Sequence, residues 1–481
     1  MRGFSLAFLA LALLPFGGSA QTNEPIDLGL ILAEQSRPSF TLIGAGARAA
    51  GMGGAFTALA DDASAASFNP AGLALLIAPE ISVVGASRSH EEDYTEFYSL
   101  HVEQGVVGSY DDTSTSFNAE DLNFAAFTLP FPVRDRNFCV QFSYHRQIDF
   151  TVDTERELAE RNLAGEATAI LRQTIHQGGD IHTFSLATAY QLSQRLSLGV
   201  SLSRWIGDWR FSSASRATRE GASETAFYGY DQENALRGWN WSAGALLRYR
   251  YLNLGFVYRF PFDSDYTFSE QLTSSLTPGF TEPAVELPLH FPRSWTFGLA
   301  VKPTDTWHIT ADFARYYWSE MEVRKTPPDG ESINFFDLEA SSQTSTPNVG
   351  HLRLGTELTL FAGRTPVALR AGYLREEQPL HFFALPREDT VVHGVTLGVG
   401  AKVGPFAIDL AYQRTESNNT VLQLLDPRNL VDIEFVAIGS KHTREQRVFI
   451  GVLYQFPTEA MRRALHFLFV GPLSEDTAHD S

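Results

Sequence analysis

The sequence predicts an all-β fold: a transmembrane antiparallel β-barrel of about fourteen strands whose lumen holds an N-terminal plug, here called the hatch. Three observations lead to this prediction. The chain begins with an export signal. From residue 80 onward, apolar and polar side chains alternate with a period of two. The alternating segments are joined by short and long connections in turn.

Residues 1–20, MRGFSLAFLALALLPFGGSA, have the features of a secretory signal peptide. Arg2 supplies the positive charge, an apolar stretch follows, and Gly18 and Ala20 are the small residues that a signal peptidase requires. The apolar stretch is too short for a membrane-spanning helix, and no cysteine stands at the cleavage point for a lipid anchor. We therefore predict an exported protein that begins at Gln21.

Residues 21–79, the predicted hatch, lack the alternation and are rich in glycine and alanine. Gly44, Gly46 and Ala49 have the G-x-G-x-x-A spacing of a dinucleotide-binding turn. No apolar parallel strand follows at the required distance, and an exported protein does not meet cytosolic NAD or ATP. We expect the small residues to let backbone pack closely inside a barrel instead. The close-packing glycines are Gly44, Gly46, Gly51, Gly53 and Gly54.

Residues 80–456 form the predicted barrel. In YLNLGFVYRF, for example, Leu252, Leu254 and Phe256 fall on one face, with Asn253 and Gly255 on the other. An apolar face toward lipid and a small or polar face toward a lumen are typical of outer-membrane strands, and a closed barrel leaves no unpaired edge in lipid. A soluble β-sandwich would not explain the connections. The predicted strands are 80–88, 122–131, 137–150, 181–192, 195–213, 236–250, 252–270, 291–302, 306–324, 351–362, 365–377, 394–403, 406–417 and 445–456.

The connections alternate between tight turns, such as LSQR and AGRTP, and long loops, which predicts turns in the periplasm and loops outside. The loop at 151–180 has an apolar stripe at helical spacing and is predicted to be helical, as rim packing or as a landing surface for ligand. Aromatic residues near strand ends predict interfacial girdles: Trp205, Trp209, Trp239, Trp241, Tyr249, Tyr251, Tyr316, Tyr317 and Trp318.

Strand parity predicts which charged side chains point into the lumen. They are Arg259, Lys302, Asp312, Arg353, Glu357, Arg370 and Asp409. One interpretation is that they pair with one another and with Arg48, Asp61 and Asp62 of the hatch, because buried charges need partners. The other is that a free arginine, Arg353 or Arg370, holds the carboxylate head group of a ligand.

Composition excludes several function classes. A formal net charge of −19 argues against nucleic-acid binding. The single cysteine, Cys139, cannot form an internal disulfide and is expected to pack as a small apolar residue. The histidines follow no metal-binding spacing. The sequence therefore predicts no enzyme, no cofactor and no metal.

The stretch GAGARAAGMGGAFTALADDASAASFNPAGLA, residues 44–74, resembles the hatch of the FadL/TodX outer-membrane transporters. The resemblance implies a fourteen-stranded barrel closed by a hatch, with Asn69, Pro70, Ala71 and Gly72 as the hatch motif. It also implies passive uptake of hydrophobic compounds such as long-chain fatty acids or aromatic hydrocarbons across the outer membrane of a Gram-negative cell. Ligand would be captured by the outer loops and released past or beside the hatch.

Family members release ligand sideways through a kink in the third strand. Here that strand, NFCVQFSYHRQIDF, has no glycine or proline to predict a kink. PorV-like barrels, which shuttle exported proteins, share a similar hatch sequence and are the alternative. The expected partners are a hydrophobic small molecule, outer-membrane lipid and lipopolysaccharide, with the protein a monomer. Residues 457–481 follow the last strand and are predicted to form a periplasmic amphipathic tail.

Overall fold

A computed structural model describes residues 44–101, 105–219, 225–275, 279–324, 332–334, 347–379, 391–424 and 435–457. The predicted signal peptide, the first part of the predicted hatch and the predicted C-terminal helix lie outside the described residues.

All strands belong to one antiparallel sheet. They are β1 (Glu80–His101), β2 (Gly105–Tyr110), β3 (Thr113–Val133), β4 (Arg136–Asp149), β5 (Val152–Asn162), β6 (Ala167–Gln191), β7 (Leu196–Arg219), β8 (Thr225–Arg248), β9 (Leu252–Arg259), β10 (Phe262–Ser274), β11 (Phe280–Phe291), β12 (Ser294–Thr304), β13 (Trp307–Tyr316), β14 (Glu322–Arg324), β15 (Ser332–Asn334), β16 (Val349–Ala362), β17 (Thr365–Glu377), β18 (Val391–Val403), β19 (Phe406–Leu424) and β20 (Phe435–Gln455).

Fourteen of these strands form the wall of a closed barrel, which confirms the predicted fold class. They are β1, β3, β4, β6, β7, β8, β9, β12, β13, β16, β17, β18, β19 and β20. The first and last close the barrel, with pairing from Glu80↔Gln455 to His101↔Phe435. Closure matters because hydrocarbon cannot satisfy the hydrogen bonds of a free sheet edge. The remaining strands extend or supplement the wall on the side of the long loops.

The helix predicted within 151–180 is wrong, because this segment forms β5 and the first part of β6. The two strands pair with each other from Val152↔Gln177 to Arg161↔Ala167. The same part of β6 also pairs with β7, from Ala169↔Arg219 onward. Both hydrogen-bonding edges of this stretch are therefore satisfied by neighbouring strands, and that tertiary pairing overrides a local helical stripe.

The outward faces of the wall form an apolar belt for lipid. Its exposed members include Leu198, Val200, Phe256, Phe297, Phe313, Leu354, Leu397, Leu410 and Ile450. Trp239 and Trp241 are each 53% exposed at the loop side of this belt, and Tyr249 and Tyr251 lie at the turn side. These four residues agree with interfacial girdles. No helix among the described residues is long and apolar enough to cross a membrane.

Four other aromatic residues predicted for the girdles point into the lumen instead. Trp205, Trp209, Tyr316 and Trp318 are all buried, at 8% exposure or less. On β7 the outward positions are the even ones, such as Leu198, so odd positions face inward. Because successive side chains on a strand point to opposite faces, a position near a strand end does not by itself place an aromatic residue in lipid.

Residues 44–79, the described part of the hatch, lie inside the barrel. They contain helix α1 (Ala47–Gly51), helix α2 (Ala65–Phe68) and a 3-10 helix, Pro70–Leu75. Helix α1 contacts β18, β19 and β20, whereas the 3-10 helix contacts β6, β7 and β8 on the other side of the wall. The segment therefore crosses the lumen. Its core consists mainly of alanines with a few larger side chains, among them Met52 and Phe56.

A ring of glycines on the inner wall lets this backbone approach the strands. A Cβ on Gly372 would lie 2.3 Å from the backbone nitrogen of Gly53, and a Cβ on Gly199 would lie 2.4 Å from the carbonyl carbon of Pro70. No real Cβ tolerates such distances. The wall glycines in contact with the hatch are Gly199, Gly244, Gly255, Gly298, Gly355, Gly372, Gly398 and Gly451. Eight of the fourteen wall strands carry one such glycine, at the level of the hatch.

We predict that Gly372→Ala destabilises the protein by about 1–3 kcal/mol, because the added methyl group overlaps hatch backbone that cannot move aside. The measurement is the heat-dependent gel mobility of the folded barrel in detergent. Gly178→Ala is the matched control, since a Cβ there meets nothing within 4 Å. Equal melting of the two variants would contradict backbone contact at Gly372.

Candidate binding site in the barrel lumen

Asn69 ties the hatch to itself and to the wall. Its side-chain nitrogen donates to the carbonyl oxygens of Thr57 (3.0 Å) and Ala245 of β8 (3.1 Å), and its side-chain oxygen accepts from the backbone nitrogen of Ala71 (3.1 Å). The residue is fully buried. Asparagine suits this position because one amide group supplies both donors and an acceptor.

The neighbours of Asn69 fit the turn that it caps. Pro70 is the first residue of the 3-10 helix, where its missing N–H leaves no hydrogen bond unmade. Ala71 is fully buried. A Cβ on Gly72 would lie 2.0 Å from the carbonyl oxygen of Ala60, so only glycine fits there. The assignment of Asn69 to Gly72 as a functional motif stays a prediction.

The five glycines predicted to pack closely occupy different environments. Gly46, Gly53 and Gly54 have positive φ angles of 86°, 65° and 75°, a conformation that favours glycine. Gly51 lies against the wall, since its Cβ would be 3.0 Å from the Cα of Gly398. A Cβ on Gly44 would meet only the ring of Phe68, at 3.5 Å, and Gly44 lines a cavity.

A buried ion-pair network joins the hatch to β16, β17 and β19. Arg48 donates two hydrogen bonds of 2.8 Å to Glu357 and pairs with Asp61 at 2.7 Å. Arg370 donates to Glu357 and to Asp409, both at 2.6 Å. Each charge in this network has an opposite charge beside it, as buried charges require. Arg370, one of the two head-group candidates, is therefore held beneath the hatch.

A wall carboxylate also fastens the hatch through its backbone. Asp312 of β13 accepts hydrogen bonds from the backbone nitrogens of Phe56 and Thr57, each at 2.9 Å. Parity predicted that Asp312 points inward, and its partner is hatch backbone, which no side-chain pattern in the sequence reveals.

A cavity of about 140 Å³ lies between the hatch and the upper lumen. Its wall is somewhat more polar than apolar, with hydroxyls from Ser143, Thr183, Ser185, Ser201, Ser203, Ser242 and Thr296 and the amide of Asn240. Gly44, Ser67 and Phe68 of the hatch form part of its floor. This volume is below the roughly 300–1,000 Å³ of pockets that enclose a whole drug-sized ligand. The cavity fits one end of a longer molecule.

Two of the arginines that line this cavity differ in their partners. Arg353, the other head-group candidate, donates to Glu376 at 3.0 and 2.6 Å. Arg259, at the end of β9, donates to the carbonyl oxygen of Ser67 at 2.9 Å. Within the part of the chain that the structure describes, Arg259 has no carboxylate partner. The sequence placed it in the lumen by parity, but which arginine stays unpaired depends on contacts between distant strands.

An apolar cluster, here called the aromatic cluster, lies on the loop side of the cavity. Its larger members are Ile148, Phe150, Trp205, Trp209, Tyr266, Phe268, Phe291, Tyr316 and Trp318. On β7 the cavity-lining residues reach Trp205, and Trp209 continues toward the loops. Phe150 stacks on Trp209 with ring centroids 4.5 Å apart. Trp205 and Tyr316 belong to both the cavity wall and the cluster, so the two are continuous.

The ladder between β3 and β4 ends partway up the wall. It runs from Val133↔Arg136 to Phe124↔His145, whereas β3 continues to pair with β1 as far as Thr113. At this level Gln147 is an extra residue on β4, because its neighbours pair with consecutive residues of β6. The third wall strand is thus bulged without glycine or proline. We call the break between β3 and β4 above this point the seam.

Ion pairs occupy the seam. Arg146 of β4 contacts Asp121 of β3 and lies 3.1 Å from both Asp149 and Asp180. Arg88 of β1 pairs with Asp149 at 2.8 Å. Gln147 itself lines the cavity, so the cavity reaches the wall at the foot of the seam.

Comparisons with known proteins agree with this architecture. Residues 39–423 match the family model described as "Outer membrane protein transport protein (OMPP1/FadL/TodX)". No curated protein sequence matches the chain significantly.

Three solved structures have similar folds, and in each of them the match extends over nearly the whole chain. A FadL homologue of Pseudomonas aeruginosa has a TM-score of 0.62 at 14% identity, over 87% of this chain and 100% of its own. The toluene transporter TodX of P. putida has a TM-score of 0.55 at 14% identity, over 86% and 99%. The Ralstonia pickettii toluene transporter TbuX has a TM-score of 0.52 at 14% identity, over 87% and 100%. At such identities the likeness concerns the fold.

We predict that Asn69→Ala loosens the hatch. The change leaves buried carbonyl groups without their donor, at a cost of at least about 1–3 kcal/mol. The expected result is faster hydrogen exchange in residues 55–75, measured by mass spectrometry, with the exchange of the wall strands unchanged. Asn162→Ala, at an exposed turn, is the control. Unchanged hatch exchange in the Asn69 variant would mean that the other contacts hold the hatch without this amide.

Proposed function

Because the chain belongs to the FadL/TodX family of outer-membrane transporters of hydrophobic compounds, we propose that it takes up long amphiphilic molecules with an acidic head group, such as long-chain fatty acids. Family membership makes it a non-enzymatic outer-membrane barrel. The choice of ligand rests on one observation, the unpaired Arg259 in the wall of the cavity above the hatch.

An arginine without an opposite charge is unfavourable in a partly buried site, and a carboxylate ligand removes that penalty. The guanidinium group of Arg259 uses one nitrogen on Ser67, which leaves donors for a bidentate contact with a carboxylate. Arg353 and Arg370 remain candidates by position. Their carboxylate partners make them weaker ones, because a ligand would have to compete with Glu376, or with Glu357 and Asp409.

The aromatic cluster supplies the complementary environment for an apolar tail. Rings at stacking distance offer a desolvated surface to hydrocarbon, and the cluster adjoins the cavity through Trp205 and Tyr316. A plain aromatic hydrocarbon would use this cluster but would leave Arg259 without a partner. A fatty acid uses both environments, and this difference favours the amphiphile.

We further propose that release is lateral, through the seam. Moving the whole hatch would separate Arg48 from Glu357 and Asp312 from the backbone of Phe56 and Thr57. Breaking one buried ion pair typically costs about 3–5 kcal/mol. Above the bulge at Gln147, no β3–β4 hydrogen bond among the described residues has to break, and ion pairs such as Arg146 with Asp121 occupy the gap. Backbone pairing resumes only nearer the loops, between β2 and β5.

We predict that Arg259→Gln lowers uptake of labelled oleate about tenfold or more at limiting concentration, because a charge-assisted hydrogen bond to the head group is lost. Uptake is measured in cells that lack the chromosomal gene and carry the variant. Oleyl alcohol, which has no carboxylate, is the control ligand and is expected to be insensitive to the change. Equal loss for both compounds would contradict a head-group role for Arg259.

Cells without the gene provide the test of the transport function itself. Unchanged uptake of oleate and of a panel of other hydrophobic compounds would overturn it. Loss of surface proteins in the same cells would instead support the PorV-like alternative.

We predict that deletion of Gln147 reduces oleate uptake while the barrel still assembles. Without the extra residue, Arg146 and Ile148 would pair in direct succession with β6, so β4 would straighten toward β3. Gln147→Ala keeps the bulge and is the matched control. Assembly is checked by heat-dependent gel mobility. Full uptake by an assembled deletion variant would exclude the seam as the route of release.

A further inference from the structure

Arginines mark the loop-side edge of the apolar belt on half of the wall. On β7 the outward residues run Leu198, Val200, Leu202 and then Arg204. The same step, from an apolar or aromatic residue to an arginine two positions nearer the loops, recurs on β8, β13, β17 and β19 and directly before β12. On β20 one polar residue, Gln446, lies between the apolar residue and the arginine. We call these residues the arginine belt: Arg204, Arg237, Arg293, Arg315, Arg375, Arg414 and Arg444.

Five members of the belt have carboxylate partners on the surface. Arg237, for example, donates to both oxygens of Asp208 at 2.8 Å. Arg293 pairs with Glu320 at 2.9 Å. The remaining members, Arg204 and Arg315, have no carboxylate partner among the described residues.

The two unpaired arginines stand beside aromatic rings. The guanidinium carbon of Arg204 lies 5.3 Å from the ring centroid of Trp239. Arg315 is the direct cross-strand neighbour of Trp295, whose indole nitrogen donates to the hydroxyl of Tyr317 at 3.2 Å. Amphipathic rings of this kind lie at the head-group level of a membrane. The arginines therefore stand at the height where lipid phosphates are found.

We propose that the arginine belt binds the phosphorylated sugar head group of the glycolipid in the outer leaflet, lipopolysaccharide, with Arg204 and Arg315 as its main phosphate ligands. Charge complementarity supports this occupant. Arg204 and Arg315 are the two belt members whose charge no described carboxylate neutralises, although the chain as a whole carries a formal charge of −19. A guanidinium group matches a phosphate with two parallel hydrogen bonds. Bound glycolipid would hold this part of the wall at a fixed height in the membrane.

The proposal depends on the outer-membrane location and not on the identity of the transported ligand. Arg204 and Arg315 face lipid, whereas Arg259 faces the lumen, so the two sets of substitutions act on different properties. A failure of the transport proposal leaves the arginine belt untouched, and the reverse also holds.

The test uses the purified full-length protein in detergent micelles, with binding read by native mass spectrometry. The probes are bisphosphorylated lipid A, phosphatidylglycerol and inorganic phosphate. The variant is R204Q/R315Q. The matched control is R364Q. Arg364 is an exposed arginine in a short turn, at the edge of the apolar belt opposite the arginine belt. Heat-dependent gel mobility confirms that each protein is folded.

The expected result is that wild type and R364Q bind lipid A with equal affinity, and that R204Q/R315Q binds it at least about tenfold more weakly. Phosphatidylglycerol and inorganic phosphate should bind weakly to all three proteins. Equal lipid A binding by R204Q/R315Q and wild type would overturn the proposal. Binding of phosphatidylglycerol as tightly as lipid A would overturn the assignment to the glycolipid.

Discussion

Hydrocarbon offers no hydrogen-bond partner to a peptide group, and this constraint sets the rest of the structure. The wall must close on itself, which the pairing of β1 with β20 achieves. A closed wall of fourteen strands encloses a lumen too wide for its own side chains to fill. The hatch fills the lower part of that space. Because its backbone lies against glycines such as Gly372 and Gly199, little of the lumen at that level is left for solvent.

Above the hatch the lumen has two kinds of wall. One part, mainly on β7, β10, β11 and β13, presents the aromatic cluster. The other, on β1, β4 and β20, presents ion pairs such as Arg88 with Asp149. A cavity with a polar lining and an unpaired arginine lies below the aromatic part. The gradient from apolar to polar runs toward the hatch, and it suits a molecule that enters with its charged end first.

Much of this architecture follows from local patterns in the sequence. The period-two alternation identified part of each of the fourteen wall strands, and parity placed Arg259 and Asp312 in the lumen. It was wrong to make 252–270 and 306–324 single strands, because the first divides into β9 and β10 and the second into β13 and β14. It also ended strands such as β1 and β7 too early, since both continue into segments predicted as loops. Parity applied to Trp205 would also have placed it inside. Three features could not be predicted from the sequence. They are the strand pairing at 151–180, the bulge at Gln147 and the absence of a described carboxylate beside Arg259. All three depend on which strands become neighbours, and the sequence of a single segment does not determine this.

The order of elements along the chain has a consequence for how the protein is assembled. The hatch precedes β1 in the sequence. The wall is complete only when β1 pairs with β20, the last strand. The segment that ends up enclosed is therefore made before any part of its enclosure. Its ion pairs with β16 and its backbone contacts with β17 join the beginning of the chain to its last third. The hatch is thus available as a template around which the wall is wrapped, and it need not be threaded into a finished pore.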